Sequence, residues 1–222
     1  MRVFFFNRFV PPDHSATSQL LGDLAGHLAM QGVQVVLVGS RQRYDDPSAM
    51  LPEVGRIGGY DVIRVGSTRY GRHSLPGRAL DYFGYLRGAR AALKAHVQPD
   101  DVVVAMTDPP MLGTLLLPLA RRRGARCANW LQDLFPEVAE VLLGRSFRIG
   151  GVPLRWLRDR GLHGADCNVV ISEGMAARLA ARAVPRARTT VVENWTDDDA
   201  VRPVAADDNP LRHAWGLRGK FV

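Results

Sequence analysis

Asp133 is the residue of this chain best placed to do chemistry. It follows the apolar run 125–131 directly and precedes the turn Leu134-Phe135-Pro136-Glu137. A carboxylate at that point can orient a sugar hydroxyl, or stabilise positive charge building on an anomeric carbon as its leaving group departs. The same position also suits a cap for a helix beginning near Glu137. Polar groups stand at four comparable places: residues 7–15, Thr107-Asp108, Ser172-Glu173 and Glu193-Asn194. Asp13 and His14 lie in the first loop, where His14 can contact a phosphate or hydroxyl or simply stand in solvent. Ser15 or Thr17 caps the helix that follows, whose free N–H groups form an anion site able to face a diphosphate. Asp108, ahead of Pro109, has the pattern of a helix N-cap. Ser172 caps a helix, and Asn194 ends a strand as a turn residue.

The elements that must position these residues alternate. Residues 2–6 and 33–38 are apolar runs of strand length, and Leu20, Leu21, Leu24, Ala25 and Leu28 recur between them at helical spacing. Gly32 stops that helix. Residues 40–60 are a polar, Gly- and Pro-rich excursion. Strands follow at 61–65, 101–106, 125–131, 166–171 and 189–192. Helices are expected over 77–95, from Asp108 to the Arg121-Arg122-Arg123-Gly124 stop, and over 154–163, with short helical segments between Glu137 and Leu154 and another helix after Ser172. Strand–helix alternation of this kind predicts an α/β fold: a Rossmann-like, doubly wound, mainly parallel sheet with helices on both faces. In such sheets ligands bind at the carboxyl ends of the strands, where the polar groups listed above converge.

Composition narrows the function. The chain has 222 residues, 46% hydrophobic and 23% charged, as for a soluble globular protein. Cys127 and Cys167 sit in apolar runs with no His or Cys at ligand spacing, which points to reduced thiols in the cytosol and to no metal site. No segment approaches the length of a membrane span, so a soluble or membrane-peripheral protein is expected. The net charge is +7, carried almost wholly by Arg, with Lys only at 94 and 220. Such a surface attracts anionic lipid or phosphorylated ligands. Without a basic stripe interleaved with aromatics, it does not indicate nucleic acid. No Gly-x-Gly-x-x-Gly follows the first strand, which counts against an NAD or FAD enzyme, and no cofactor is expected. Residues 194–209 are acidic and irregular and mark a linker. Lys220-Phe221-Val222 has the pattern of a new strand.

Five segments in register resemble the N-terminal domain of the family 4 glycosyltransferases of the GT-B fold, in the branch that builds O-antigen, capsule and exopolysaccharide. They are Phe9-Val10-Pro11-Pro12-Asp13-His14-Ser15-Ala16-Thr17-Ser18-Gln19-Leu20, Trp130-Leu131-Gln132-Asp133-Leu134-Phe135-Pro136-Glu137, Val169-Val170-Ile171-Ser172-Glu173-Gly174-Met175, Glu193-Asn194-Trp195-Thr196-Asp197 and Leu217-Arg218-Gly219-Lys220-Phe221-Val222. The resemblance implies two Rossmann-like domains across a cleft, one holding the acceptor and the other most of a nucleotide sugar. It implies transfer with retention and without metal, and it places Asp133 beside the reacting carbon. Asp13, His14, Ser15, Thr17, Asp108, Glu137, Ser172 and Asn194 are then expected to bind substrate. It implies domain bounds of 1–193 for the acceptor domain, 194–216 for a linker, and 217–222 for the start of a donor domain cut off at Val222. Such a fragment is expected to be inactive alone. Acceptors in this branch are often polyprenyl-diphosphate-linked glycans. That fits peripheral contact with the inner face of the cytoplasmic membrane, for which Tyr82, Phe83, Tyr85, Arg87 and Arg90 are candidates. The alternative is that Leu80, Phe83 and Leu86 form a core face with solvated Arg residues. Departures from the family pattern are His14-Ser15-Ala16-Thr17 where Gly-Gly is common, Asp108 in place of Ser, Phe135 in place of Trp, and Glu193 in place of Pro. A second function class is a stand-alone binding module for a phosphorylated or lipid-linked sugar.

Overall fold

The computed structural model describes residues 1–46, 48–66, 68, 70, 75–137, 151–196 and 202–221. Strands β1 (Arg2–Phe6), β2 (Gln34–Ser40), β3 (Val54–Ile57), β4 (Tyr60–Val65), β5 (Val102–Ala105), β6 (Arg126–Leu131), β7 (Cys167–Val170) and β8 (Thr189–Val191) form one eight-stranded sheet. Its order is β3-β4-β2-β1-β5-β6-β7-β8. Every neighbouring pair is parallel except β3–β4. The chain winds one way from β1 to β2 and the other way at β5. The switch point therefore lies between β1 and β5, where parallel sheets open a crevice at their carboxyl ends.

Among the described residues, the α-helices are α1 (Ala16–Met30), α2 (Leu75–His96), α3 (Leu112–Arg122), α4 (Val152–Gly164), α5 (Glu173–Ala180) and the short α6 (Pro210–Ala214). The central strands are apolar on both sides because both sides are covered. Phe5, Leu37 and Val62 pack under Leu21 and Ala25 of α1. Phe4, Phe6, Val103 and Cys127 pack under Tyr85 and Leu93 of α2 and Leu112 and Leu116 of α3. Leu131 and Val170 meet Leu162 of α4 and Leu179 of α5. The α/β, doubly wound architecture expected from the alternation of elements is present.

The structure departs from the sequence expectations at several points. The 40–60 excursion contains β3, an edge strand antiparallel to β4 with Val54 opposite Ile63. It is almost wholly exposed, so no apolar alternation marks it. Helix α3 begins at Leu112, not after Asp108. The turn passes through Met111 at φ 64°, and Asp108 faces Arg8 instead of capping. Ser15 occupies the N-cap of α1 but its hydroxyl makes no capping bond, whereas Ser172 caps α5 by accepting from the Met175 N–H. Helix α2 is rotated from the expected core face: Leu80 and Phe83 are exposed, while Asp81, Tyr85, Ala89 and Leu93 are buried. Polar bonds anchor this rotation. The Tyr85 hydroxyl donates to the Val38 carbonyl at 2.9 Å. The Asp81 carboxylate accepts from the Thr68 hydroxyl at 2.6 Å and the Tyr70 N–H at 3.2 Å. Lys220 and Phe221 form no strand, and Phe221 is fully exposed. The short helical segments expected after Glu137, the Asp197-Asp198-Asp199 part of the linker, and Val222 lie outside the described residues.

A buried amide pair holds the right half of the sheet to its helices. Asn129 donates to the Asn168 side chain at 2.8 Å, and Asn168 donates to the Leu162 carbonyl at 3.1 Å. A Cβ at Gly113 would lie 1.9 Å from the Asn129 Oδ1. Gly113→Ala is therefore expected to destabilise the fold by about 1–3 kcal/mol through overpacking. Chemical denaturation will show it, and an unchanged midpoint would mean that α3 slides freely over Asn129.

Candidate active-site cleft

The crevice at the switch point is a cleft of about 450 Å³. Its walls come from the loops after β1, β2, β5 and β6 and from the first turns of α1 and α2. They include Thr17, Tyr44, Tyr82, Asp108 and Asp133. The floor is set by Arg8, the second residue after β1, which is only 4% exposed. Its Nε lies 3.3 Å from Asp108 Oδ1 and its backbone N–H donates to the Asp108 carbonyl at 2.8 Å. Its guanidinium stands 4.3 Å from the centre of the Phe9 ring and 4.7 Å from that of Tyr82. A cation held between two rings and one carboxylate keeps its geometry while stabilising negative charge in the cleft above it. Sequence inspection passed over Arg8. Its one signal was a cation two residues past the apolar run Val3–Phe6.

The residues expected from sequence divide into three groups. Ser15, Thr17, Asp108 and Asp133 line this cleft together. Thr17 is oriented by the Asn7 side chain, which donates to its hydroxyl at 3.2 Å. The Ser15 hydroxyl is buried without a hydrogen-bond partner among the described residues and borders the cleft beside the first N–H groups of α1. That is the arrangement an anionic or hydroxyl-bearing ligand satisfies. The second group lines adjoining depressions. Ser172 faces one of about 420 Å³, which Asp133 and Gln132 share. His14 and Asn194 border a larger groove of about 820 Å³ along α1. Asn194 donates to the Gln132 side chain at 3.0 Å. The neighbouring Trp195 stacks on Trp130 with ring centres 5.9 Å apart.

The third group, Asp13 and Glu137, has both carboxylate oxygens engaged by the protein itself. Asp13 also borders the groove along α1, and Glu137 the 420 Å³ depression beside Ser172. Asp13 is buried and accepts from the Ser15 N–H at 2.8 Å and the Tyr44 N–H at 2.6 Å. It ties the loop after β1 to the loop after β2. Glu137 receives a two-pronged pair from Arg158 at 2.8 and 2.9 Å, and Arg182 joins it at 2.5 Å. Burial alone would raise the Glu137 pKa, but the bonds from Arg158 outweigh it and hold the carboxyl below the usual glutamate range.

Asp133 occupies the ridge between the 450 Å³ and 420 Å³ depressions. The residue is open to solvent along the ridge, yet protein crowds its carboxyl from below. That desolvation raises its pKa, and the nearby Asp108 carboxylate raises it further. The helix expected near Glu137, which Asp133 could cap, runs into residues outside those described. Two carboxylates at one cleft, one neutralised by Arg8 and one left facing open space, leave Asp133 as the group able to answer positive charge developing in a ligand.

A family model described as a glycosyl transferase 4-like domain matches residues 17–195. No curated protein sequence matches the chain. Among solved structures, sucrose-phosphate synthase from Thermosynechococcus elongatus is similar at 16% identity, with a TM-score of 0.69 over 98% of this chain and 53% of its own. The Anabaena protein HepE in complex with UDP-glucose is similar at 13% identity and TM-score 0.60, over 100% of this chain and 51% of its own. The catalytic domain of starch synthase IV from Arabidopsis thaliana, bound to ADP and acarbose, is similar at 11% identity and TM-score 0.61, over 90% and 52%. This chain thus spans about half the length of these three structures. The fold they share is the N-terminal, Rossmann-like half of a GT-B glycosyltransferase. With four-fifths of its length matched by the family model, this chain belongs to the glycosyl transferase 4-like family.

Proposed function

We propose that the chain is the acceptor-side domain of a nucleotide-sugar-dependent, retaining glycosyltransferase of cell-surface polysaccharide synthesis. Residues 1–193 form that domain, residues 194–216 link it to a donor-binding domain, and residues 217–222 begin that domain. Asp133 faces the anomeric carbon of the donor sugar. His14, Ser15, Thr17, Asp108, Ser172 and Asn194 contact the substrates, and a glycan acceptor, among them polyprenyl-diphosphate-linked glycans, enters the cleft at the cytoplasmic side. The observation that carries this proposal is the position of Asp133. It stands at the carboxyl end of β6, beside the switch point, on the ridge between two depressions large enough for sugar rings. Among the structural relatives, HepE is in complex with UDP-glucose, a nucleotide sugar, and starch synthase IV is bound to ADP, a nucleotide.

The division of labour is testable. The 222-residue chain is expected to give little or no heat on titration with UDP-, GDP-, TDP- or ADP-sugars. Joined to a donor-binding half, it is expected to transfer sugar to lipid-linked glycan, detected as a mass increase of the acceptor. Tight binding of a nucleotide sugar by the chain alone would overturn the assignment of the donor to another domain. Acceptor binding with no transfer in the joined form would instead favour a stand-alone binding module.

A further inference from the structure

The groove along α1 is nearly twice the size of the cleft, about 820 against 450 Å³, and its chemistry differs. Among the described residues no Lys or Arg lines it, in a chain that holds 29 of them. Its walls are α1, the turn between β3 and β4 at Gly58, and the segment after β8 at Asn194-Trp195. Trp195 is half-buried there. Its indole lies on that of Trp130 with the planes 15° apart, so the ring is held still at the edge of the groove. Polar groups without partners stand along the α1 wall. The Asp23 carboxylate is exposed and makes no hydrogen bond or ion pair among the described residues. The Ser18 hydroxyl, wholly buried at the wall, has no partner either. Gly26 keeps the groove open, since a Cβ there would meet nothing within 4 Å.

A fixed aromatic ring, an unpaired carboxylate and a hydroxyl complement a neutral, polyhydroxylated ligand. The C–H face of a sugar ring stacks on an indole, and sugar hydroxyls donate to a carboxylate. A phosphate or uronate finds no counter-charge in this groove, and Asp23 repels it. The groove also opens towards the cleft. Ala16 lines both, and Asn194, on the groove, donates to Gln132 of the cleft wall at 3.0 Å. We propose that the α1 groove seats a run of uncharged sugars, the stretch of a glycan that lies beyond the unit held in the cleft. That this glycan is the acceptor rests on the transferase reading. The binding of uncharged sugars does not, since it needs neither donor nor reaction.

Ligand-observed NMR titration of the 222-residue chain with maltohexaose, cellohexaose and mannohexaose tests it. At least one of the three is expected to bind with a dissociation constant of about 1 mM or below. The matching monosaccharides, and an oligogalacturonate of equal length, are expected to bind more weakly. Trp195→Ala is expected to weaken binding about tenfold by removing the aromatic platform. Gly26→Met is expected to weaken it by a similar factor, because its side chain fills the groove. Helix propensity favours that change, so its melting temperature is expected to equal or exceed that of the wild type. Gly26→Met therefore keeps the test decisive where Trp195→Ala also loosens Trp130. Failure of all three uncharged hexasaccharides to bind, tighter binding of the oligogalacturonate, or undiminished binding by Gly26→Met would overturn the proposal. None of these outcomes bears on the turnover that depends on Asp133, so the groove and the transferase reading fail separately.

Discussion

Asp133→Asn is expected to lower the turnover of the proposed two-domain transferase by about 10²–10³-fold, the usual cost of removing one preorganised electrostatic group from a transition state. The substitution keeps the side chain's shape and removes its charge. Asp133 forms no ion pair among the described residues that would be left broken, and the ridge it stands on is open to solvent, so stability is expected to change by less than about 1 kcal/mol. Loss of activity with retained stability distinguishes an electrostatic role from a structural one. The pH profile supplies a second signature. Burial and Asp108 raise the Asp133 pKa above the ordinary aspartate value of 3.8. The ionised form is the one that opposes positive charge, so activity is expected to fall on the acid side, at a pH above that ordinary value. Asp108→Asn removes part of the cause and is expected to move this limb towards lower pH. Steady-state rates across the acid range check both statements, and full activity in Asp133→Asn would remove the residue from the reaction.

Arg158→Met is expected to cost about 3–5 kcal/mol of folding stability, because it breaks a buried ion network from its centre. Arg158 is 5% exposed. It binds both oxygens of Glu137, the Asp159 carboxylate at 2.6 Å and the Phe135 carbonyl at 3.3 Å. Without it, Glu137 keeps only Arg182 among the described residues, and the turn that follows Asp133 loses the bonds from Arg158 that attach it to α4. The network also predicts a pH dependence. The folded-state pKa of Glu137 lies below its ordinary value of 4.5, so its contribution is fully present above that pH and is lost as pH falls through the folded value. Wild-type stability is therefore expected to decline below about pH 4.5, and the decline is expected to be shallower in Arg158→Met. Urea unfolding at neutral and acidic pH measures both. Glu137→Gln combined with Arg158→Met is expected to cost less than the sum of the single changes, since both remove the same pair.

Much of the architecture was legible in the chain because parallel sheets write themselves as apolar runs. Val33 to Val38 could only be a strand covered on both faces, and the helical spacing from Leu20 to Leu28 could only lie against it. The edge strand Val54–Ile57 left no such mark, since an exposed strand beside a parallel sheet buries too little to need alternation. The rotation of α2 was equally hidden. Leu80 and Phe83 have the side chains of a core face, but the helix turns them outward because Asp81 and Tyr85 have hydrogen-bond partners inside and a buried polar group must keep them.

The site divides along the same line. Position marked Asp133 as a candidate: a carboxylate just past an apolar strand stands at the carboxyl edge of the sheet, and the order of strands puts that edge at the crevice. What Asp133 faces, and which neighbours share its cleft, depended on contacts between loops far apart in the chain. Asp108 met Arg8 instead of capping a helix, and Asp13 and Glu137 also tie loops together because Tyr44, Arg158 and Arg182 came within hydrogen-bonding distance. Residue order determined the sheet, the switch point and the loops that converge there, since these follow from local periodicity. The partners of each charged side chain were decided only in three dimensions, because desolvation forces a charge to pair with whichever opposite group the fold brings beside it.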